Sequence, residues 1–293
     1  MRLKVPGLQA LSCKLMLSAA VATLAFTLTQ PATADLSDIK SRGVMKVATE
    51  DNYAPFNFME NGQAKGFNAD MLKELKQYAP FSITQEIMPW TGLLAAVSSG
   101  QYDMALTGAL VSTERLRVFN FTIPYASAQD FYVKRADDDS IRSVADLSGK
   151  KLGVQAGSVL LTRLPELKAM LDKSGGQLGE VVKYQSYPEA YADLANGRLD
   201  YVINAEVPVN TLVKARPDVF SKGQAVSGPG FVAWPVPKSD PELLKFLDQF
   251  MTHMKQSGRL AELQKTWFGE AFPDLPQQPI TEVDQFRQLA NLN

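Results

Sequence analysis

The feature that most restricts the fold of this chain is an alternation of short strand patterns with helix patterns, which occurs twice. The strand patterns lie at residues 45–49 and 81–87 in the first series, and at 151–154, 181–185 and 201–203 in the second. Strands separated by helices pair in parallel within one sheet that the helices cover. In each series a Gly-x-x-Asp motif precedes an apolar strand, as GQYD at 100–103 and GRLD at 197–200. The sequence therefore predicts an α/β protein with two similar lobes.

One strand of the first series ends in Thr107 and Gly108 and is followed by a predicted helix start at residues 112–115. In open α/β sheets, ligands bind where a strand ends and the next helix begins. Arg115 lies in the first turn of that predicted helix, where the helix dipole disfavours a cation. A planar guanidinium at this place is suited to clamp a carboxylate. Two interpretations stay open from these residues alone: a ligand clamp, or an arginine that pairs with Glu114 or faces solvent.

The first 34 residues have the pattern of a secretory signal peptide. Three basic residues before position 15 are followed by an uncharged apolar run at 15–28 and by the small residues Ala32 and Ala34. A basic start, an apolar run and a small-x-small site are typical of such a signal. The alternative is a membrane anchor, but the run is shorter than the roughly 20 residues that a spanning helix needs. We expect cleavage after Ala34.

Composition excludes several classes of function. Removal of residues 1–34 takes three of the 30 basic residues and none of the 31 acidic ones, which moves the formal net charge from −1 to −4. Nucleic-acid-binding proteins usually carry a basic face, so no nucleic-acid partner is expected. The single cysteine, Cys13, lies in the predicted signal, so the mature chain has no disulfide. The single histidine, His253, excludes a multi-histidine metal site and disfavours a serine–histidine triad.

Several short motifs share the order and spacing of one protein family. They are YAPF at 53–56, GFNAD at 66–70, PWTGL at 89–93, GQYD at 100–103, STER at 112–115, LSGKKLGV at 147–154 and TWFG at 266–269. The ordered set, rather than any single motif, is specific. Over about residues 40–270 the chain resembles the periplasmic polar-amino-acid-binding proteins of ABC importers.

The resemblance implies a two-lobed periplasmic-binding-protein fold with two hinge crossings, in which the lobes close on a ligand. The first lobe is implied to consist of two pieces, residues 35–127 and 227–272. The second lobe, residues 128–226, lies between them, and residues 273–293 form a C-terminal tail. The hinge crossings are expected at about residues 126–134 and 223–232. The tail is rich in Pro and Gln, and we expect it to follow the surface before a last short helix near residues 282–289.

The resemblance also implies which residues hold the ligand. Arg115 matches the arginine that clamps the α-carboxylate, and Tyr53 and Trp90 match the aromatic walls of the site. Glu50 matches an acidic contact found in binders of basic amino acids. The positions that match hydrogen-bonding loops are Thr107 and Gly108 in the first lobe and Gln155, Gly157, Ser158 and Val159 in the second. The alternatives are core packing for Trp90, a surface charge for Glu50 and ordinary turn chemistry for the loops.

Two positions depart from the family pattern. Leu110 stands where a serine or threonine usually contacts the carboxylate, and the aspartate that usually pairs with the α-ammonium is missing. Counting along the strand places Ala205 at that position, whereas counting back from the next proline places Glu206 there. The second alignment needs a β-bulge, because a one-residue step turns a side chain to the other face. A buried ammonium without an anionic partner is costly. The ligand therefore lacks an α-ammonium or is held through Glu206 or Glu50, and Asn204 could offer a neutral contact.

These inferences predict a substrate-binding protein, not an enzyme, that delivers a small carboxylate-bearing solute such as a polar amino acid to a membrane ABC permease. No cofactor and no metal are expected, and the protein is expected to be periplasmic and monomeric. One alternative on the same scaffold is an enzyme similar to the cyclohexadienyl dehydratases, with Glu206 or Glu50 as general acid. Turnover of prephenate or arogenate would identify it. A second alternative is a sensor that signals to a membrane receptor.

Overall fold

The structure is a computed structural model that describes residues 36–292. The predicted signal peptide, residues 1–34, lies outside the described residues. Among the helices within residues 36–292, none is both long enough and apolar enough to cross a membrane.

Helices and strands alternate through most of the described chain. The α-helices are α1 (Leu36–Arg42), α2 (Phe67–Tyr78), α3 (Trp90–Ser98), α4 (Leu160–Lys173), α5 (Tyr187–Ala195), α6 (Glu206–Ala215), α7 (Pro241–Gln256), α8 (Arg259–Phe268) and α9 (Val283–Leu289). The strands are β1 (Val44–Glu50), β2 (Asn52–Tyr53), β3 (Asn57–Glu60), β4 (Gln63–Lys65), β5 (Ser82–Met88), β6 (Met104–Ala105), β7 (Phe119–Phe121), β8 (Ala126–Ser127), β9 (Asp130–Arg135), β10 (Leu152–Gln155), β11 (Val181–Tyr184), β12 (Tyr201–Ala205), β13 (Phe220–Ala225), β14 (Phe231–Val232) and β15 (Pro235–Pro237).

The first lobe contains a parallel sheet of three strands in the order β5-β1-β6. The pairing of β1 with β5 runs from Val44 opposite Ser82 to Glu50 opposite Met88, which confirms the two strands predicted in the first series. The last four residues of β1 are all buried, as expected for a central strand. Because the strands are parallel, Glu50 and the loop after β6 lie at the same edge of the sheet, where ligands bind.

The second lobe contains a mixed sheet of five strands in the order β11-β10-β12-β9-β13. Strands β11, β10 and β12 are parallel and correspond to the three strands predicted in the second series. Strand β9 lies antiparallel between β12 and β13. The loops that follow β10 and β12 therefore project from one edge of this sheet, as the loops after β1 and β6 do in the first lobe.

The two sheets are joined by two adjacent stretches of extended chain. On one, β8 leads into β9, and on the other, β13 leads into β14; β8 and β14 pair antiparallel. Backbone hydrogen bonds continue the contact, with the Ala128 N–H donating to the Gly230 carbonyl at 3.0 Å and the Val226 N–H to the Asp130 carbonyl at 2.8 Å. This arrangement agrees with the predicted two-lobed fold with two hinge crossings. The residue boundaries of the lobes, after 127 and after 226, stay predictions.

The α-helix predicted to begin at residues 112–115 is wrong. The structure has a single 3-10 turn there, Arg115–Arg117, and the Ser112 Oγ accepts a hydrogen bond from the Arg115 N–H at 3.2 Å. Strand β7 begins two residues after the turn and pairs with β15, so a longer helix has no room. The dipole argument for Arg115 therefore does not apply, and its role rests on its contacts.

The C-terminal tail packs into the first lobe instead of following the surface. Ile280 forms a two-way backbone bridge with Phe121, with N···O distances of 3.0 and 2.9 Å. Ile280 and Phe286 are buried in one apolar cluster with Leu93 and Phe121. The expected last helix is present as α9. Proline and glutamine occupy residues 276–279 and obscured the apolar residues Leu275, Ile280 and Phe286, which are buried in this cluster.

Candidate functional site

A cavity lies between the lobes at the carboxyl ends of β1 and β10, where parallel strands place their ligand-binding loops. Its empty volume is about 250 Å³, of which about 20 Å³ can hold the centre of a water molecule. One water needs roughly 10–15 Å³ on that measure, so the side chains around the cavity are closely packed. We call it the solute cavity, and it is lined by Glu50, Tyr53, Trp90, Gly108, Ala109, Leu110, Arg115, Gln155, Ser158, Val159 and Tyr187.

Neutral groups hold the Arg115 guanidinium at the wall of the solute cavity. Its Nη1 donates to the Leu110 carbonyl at 2.7 Å and its Nη2 to the Gly157 carbonyl at 3.3 Å. Its Cζ lies 4.9 Å from the centroid of the Trp90 ring, within cation–π range. None of the ion pairs among residues 36–292 includes Arg115. Burial lowers its pKa to about 10, so the group is a cation at neutral pH without an acidic partner there.

Among residues 36–292, Glu50 is the only acidic residue that lines the solute cavity. It ends β1 and is 3% exposed. Its Oε2 accepts a hydrogen bond from the Thr107 hydroxyl at 3.0 Å, and its Oε1 accepts one from the Gln155 amide at 3.4 Å. Burial raises the pKa of Glu50 to about 7, and the hydrogen bonds from Thr107 and Gln155 oppose that rise. The carboxyl group therefore changes charge near neutral pH.

Aromatic side chains from both lobes form the walls of the cavity. Tyr53 comes from the first lobe and stacks on Tyr187 of the second, with ring centroids 5.8 Å apart and an interplanar angle of 22°. Trp90 begins α3 and is 9% exposed. Sequence reasoning named Tyr53 and Trp90 but missed Tyr187. Tyr187 begins α5 shortly after β11, so the rule that ligands bind at strand ends could have identified it.

The loop after β6 brings Thr107 and Gly108 to the site. Thr107 is fully buried, and besides the bond to Glu50 its carbonyl accepts one from the Tyr125 hydroxyl at 2.9 Å. Gly108 leaves no room for a side chain, because a Cβ there would lie 2.6 Å from the Phe56 ring and 2.8 Å from the Tyr53 ring. Glycine at 108 therefore allows the two rings to approach the backbone at the cavity wall.

The loop after β10 supplies the facing side of the cavity. Gln155, Ser158 and Val159 line it, and Gly157 presents its carbonyl to Arg115. Gly157 has φ = +72°, a left-handed conformation that glycine adopts without strain. The Ser158 Oγ accepts a hydrogen bond at 3.2 Å from the N–H of Leu160, the first residue of α4. The N-terminal end of α4 therefore lies at the solute cavity.

The structure does not bring Asn204 or Glu206 to the solute cavity. The register of β12 with β9 is regular from Tyr201 to Ala205, so the bulge needed to turn Glu206 inward is absent from that pairing. Glu206 is partly exposed and accepts a hydrogen bond from the Lys222 Nζ at 2.6 Å. Asn204 is fully buried, and its Oδ1 accepts a hydrogen bond from the Tyr53 hydroxyl at 3.1 Å. The predicted cavity contact through Glu206 is therefore corrected, and Asn204 reaches the site only through Tyr53.

Besides a hydrogen bond next to the site from the Thr91 hydroxyl to the Gln185 side chain at 3.0 Å, three hydrogen bonds of cavity-lining residues within 36–292 cross directly from one lobe to the other. They join Glu50 to Gln155, Tyr53 to Asn204, and Arg115 to Gly157. Eleven of the twelve residues predicted for the site either line the cavity or, like Thr107, Gly157 and Asn204, bond to a residue that does. The structure thus places the lobes against each other with little free space between them.

Comparisons with known proteins agree with this architecture. Residues 45–270 match the bacterial extracellular solute-binding proteins, family 3. The L-cystine-binding protein TcyJ of Escherichia coli (strain K12) is 29% identical over 242 residues, which cover 80% of this chain and 86% of that protein.

Solved structures give the same result. An ancestral arginine-binding protein bound to arginine is similar with a TM-score of 0.68 at 30% identity, covering 78% of this chain and 99% of that one. An ancestral amino acid-binding protein, a precursor of cyclohexadienyl dehydratase, has a TM-score of 0.69 at 26% identity, covering 79% and 98%. With its two lobes, its cavity between them and the match over residues 45–270, this chain belongs to family 3 of the bacterial extracellular solute-binding proteins.

Proposed function

We propose that this protein is the substrate-binding component of an ABC importer and binds a small carboxylate-bearing solute of the amino-acid class in the solute cavity. The observation that carries the proposal is the Arg115 guanidinium, a cation that lines the cavity and makes no ion pair within residues 36–292. A ligand carboxylate would supply the missing partner and could accept two parallel N–H···O bonds. Relatives named for binding cystine and arginine support this ligand class.

The N-terminal end of α4 supports an anion at the same place. Ser158 and Val159 line the solute cavity, and α4 is 14 residues long. The dipole of a helix favours a negative charge at such an end. In our proposal the ligand carboxylate lies between Arg115 and the start of α4, so it draws the two lobes together.

A positively charged group on the ligand would have one acidic partner at the cavity, Glu50. Ala205 offers no anion, and Glu206 is occupied by Lys222. Because burial raises the pKa of Glu50 to about 7, a ligand cation beside it would favour the ionised form. We propose that Glu50 holds the ligand's ammonium or another cationic group, while Tyr53, Trp90 and Tyr187 enclose its carbon skeleton.

The remaining parts of the proposal concern place and partners. Residues 1–34 serve as a cleaved signal peptide, and the mature protein acts in the periplasm as a monomer that delivers its solute to a membrane permease. The signal pattern of the sequence and the extracellular character of the family support the location.

One observation favours a second candidate, an enzyme on the same scaffold. Glu50 is a buried carboxyl with a pKa near 7, which suits a general acid at neutral pH. A structural neighbour is described as a precursor of cyclohexadienyl dehydratase. Release of phenylpyruvate from prephenate or of phenylalanine from arogenate, lost in Glu50→Gln, would support the enzyme. Binding of an amino acid without turnover would support the transport role.

The proposal is tested by a thermal-shift screen of residues 35–293 with amino acids, cystine, small organic acids, prephenate and arogenate. A solute at about 100 times its Kd stabilises the folded state by about 2.7 kcal/mol. Arg115→Ala should abolish the shift. The matched control is Arg117→Ala, which removes an exposed arginine from the same 3-10 turn and should keep it. A shift that survives in Arg115→Ala, or silence across the whole panel, would contradict the proposal.

A further inference from the structure

A second cavity lies next to the solute cavity and shares two of its walls. It offers about 290 Å³ to the centres of water-sized molecules, against about 20 Å³ in the solute cavity. Tyr53 and Tyr187 line both spaces. We call the second space the side cavity. From the second lobe it is lined by α5, by the end of β12 and by one face of α6, and from the first lobe by residues 52–54.

The partition between the two cavities consists of few contacts. Tyr53 and Tyr187 stack across it at 5.8 Å, and the Tyr53 hydroxyl donates to Asn204 at 3.1 Å. The two rings belong to different lobes, so opening of the lobes separates them without breaking either lobe's core. A solute that enters the open cleft can therefore occupy both spaces before the lobes close on it.

The lining of the side cavity defines the chemistry of its occupant. Tyr191, Pro208 and Leu212 present apolar surface. Asn204 is the fully buried polar side chain of the lining, and its Nδ2 donates to the Tyr191 hydroxyl at 2.8 Å. Within the described part of the chain the lining has one charged residue, Arg216, which is exposed directly after α6. The side cavity therefore suits an apolar segment, uncharged where it is deepest.

We propose that the solute of this protein is elongated, with its carboxylate end at Arg115 and a long, mainly apolar side chain in the side cavity. This inference rests on the proposed function. Between the closed lobes the solute cavity has room for about one water and offers no space to a long side chain, whereas the side cavity has more than ten times that space. Length of the side chain, rather than charge at its end, thus determines which amino acid binds.

The test is a homologous series of unbranched α-amino acids from alanine through norvaline and norleucine to 2-aminooctanoate. Kd is measured by calorimetry on residues 35–293. Each methylene buried in the side cavity should improve Kd about fourfold, until the cavity is full. The variant Thr211→Phe fills the cavity from α6 and should abolish the gain with length while leaving the Kd of alanine within about twofold. Thr211→Leu, a smaller change, should remove part of the gain.

The matched control is Lys214→Phe, which adds the same ring to an exposed position of α6 outside the lining. It should keep the wild-type dependence on length. Two results would refute the side-cavity proposal and leave the proposed function standing. One is a series that binds through Arg115 but whose Kd does not improve with chain length. The other is a full improvement of Kd with chain length in Thr211→Phe. Failure of every member to bind, when the thermal-shift screen finds another amino acid that binds, would refute the side-cavity proposal alone; silence in both experiments would contradict both.

Discussion

Replacement of Glu50 by Gln should make the protein more stable at neutral and alkaline pH. Glu50 is buried at the end of β1, where the strand meets the cleft between the lobes. Burial raises its pKa from the usual 4.5 to about 7. In the unfolded chain the carboxyl ionises at lower pH than in the folded protein. Stability is therefore lost as the pH rises from about 4.5 to about 7, and the loss is complete above that range.

The size of the effect follows from the difference between the two pKa values. Each pKa unit corresponds to about 1.36 kcal/mol, so the difference between 4.5 and about 7 amounts to about 3 kcal/mol. Glutamine keeps an oxygen that can accept the Thr107 hydrogen bond but carries no charge to desolvate. Glu50→Gln should then match the wild type below about pH 4.5 and exceed it by about 3 kcal/mol at pH 8.

The assay measures Tm by thermal unfolding of the wild type and of Glu50→Gln, without ligand, at intervals of half a pH unit from pH 4 to pH 9. For a protein of this size the gap corresponds to roughly 6–12 °C in Tm at pH 8. Glu86→Gln is the matched control, because Glu86 is exposed on the neighbouring strand opposite Ala48. Its curve should follow that of the wild type. A gap between Glu50→Gln and the wild type that stays constant with pH would refute the reasoning.

Three stability predictions follow from other contacts, each measured by urea unfolding. Arg163→Ala should lower the free energy of unfolding by about 3–5 kcal/mol, because the buried Asp130 carboxylate lies 3.4 Å from the Arg163 Nη1 and would lose its cation. A decrease below about 1 kcal/mol would contradict this. Gly108→Ala should cost about 1–3 kcal/mol, because the new Cβ overlaps the Phe56 ring. Ile280→Ala should cost about 2–5 kcal/mol if the tail belongs to the core, whereas the same change at the half-exposed Leu289 should stay within about 0.5 kcal/mol.

Local patterns were sufficient to predict the parallel strands and the edge at which the site lies. Glu50 is the last residue of one strand of the first lobe, and Thr107 and Arg115 lie in the segment after another. The rule that ligands bind at strand ends requires no knowledge of tertiary packing. The pattern at 45–49 is mainly apolar and the pattern at 81–87 alternates, as a central strand and a half-buried edge strand do. The two-lobed organisation followed from the repetition of this pattern.

The features that the sequence did not predict depend on contacts between segments far apart in the chain. The helix expected at 112–115 is prevented by β7, whose partner β15 lies more than 110 residues further along the chain. The side to which Glu206 points depends on the register of β12 with β9. The position of Tyr187 against Tyr53 depends on how the two lobes meet. Each of these contacts joins segments whose distance in sequence hides their proximity.

The measurement that tests the central claim most directly compares the solute found in the screen with its carboxamide. Calorimetry would give Kd for both compounds with the wild type and with Arg115→Ala. If Arg115 binds the carboxylate, the wild type should prefer the acid about 30-fold or more, since truncating a buried hydrogen-bonded charge pair costs 2–5 kcal/mol. Arg115→Ala should bind the two compounds about equally. Equal binding of acid and amide by the wild type, or an undiminished preference in Arg115→Ala, would contradict the account.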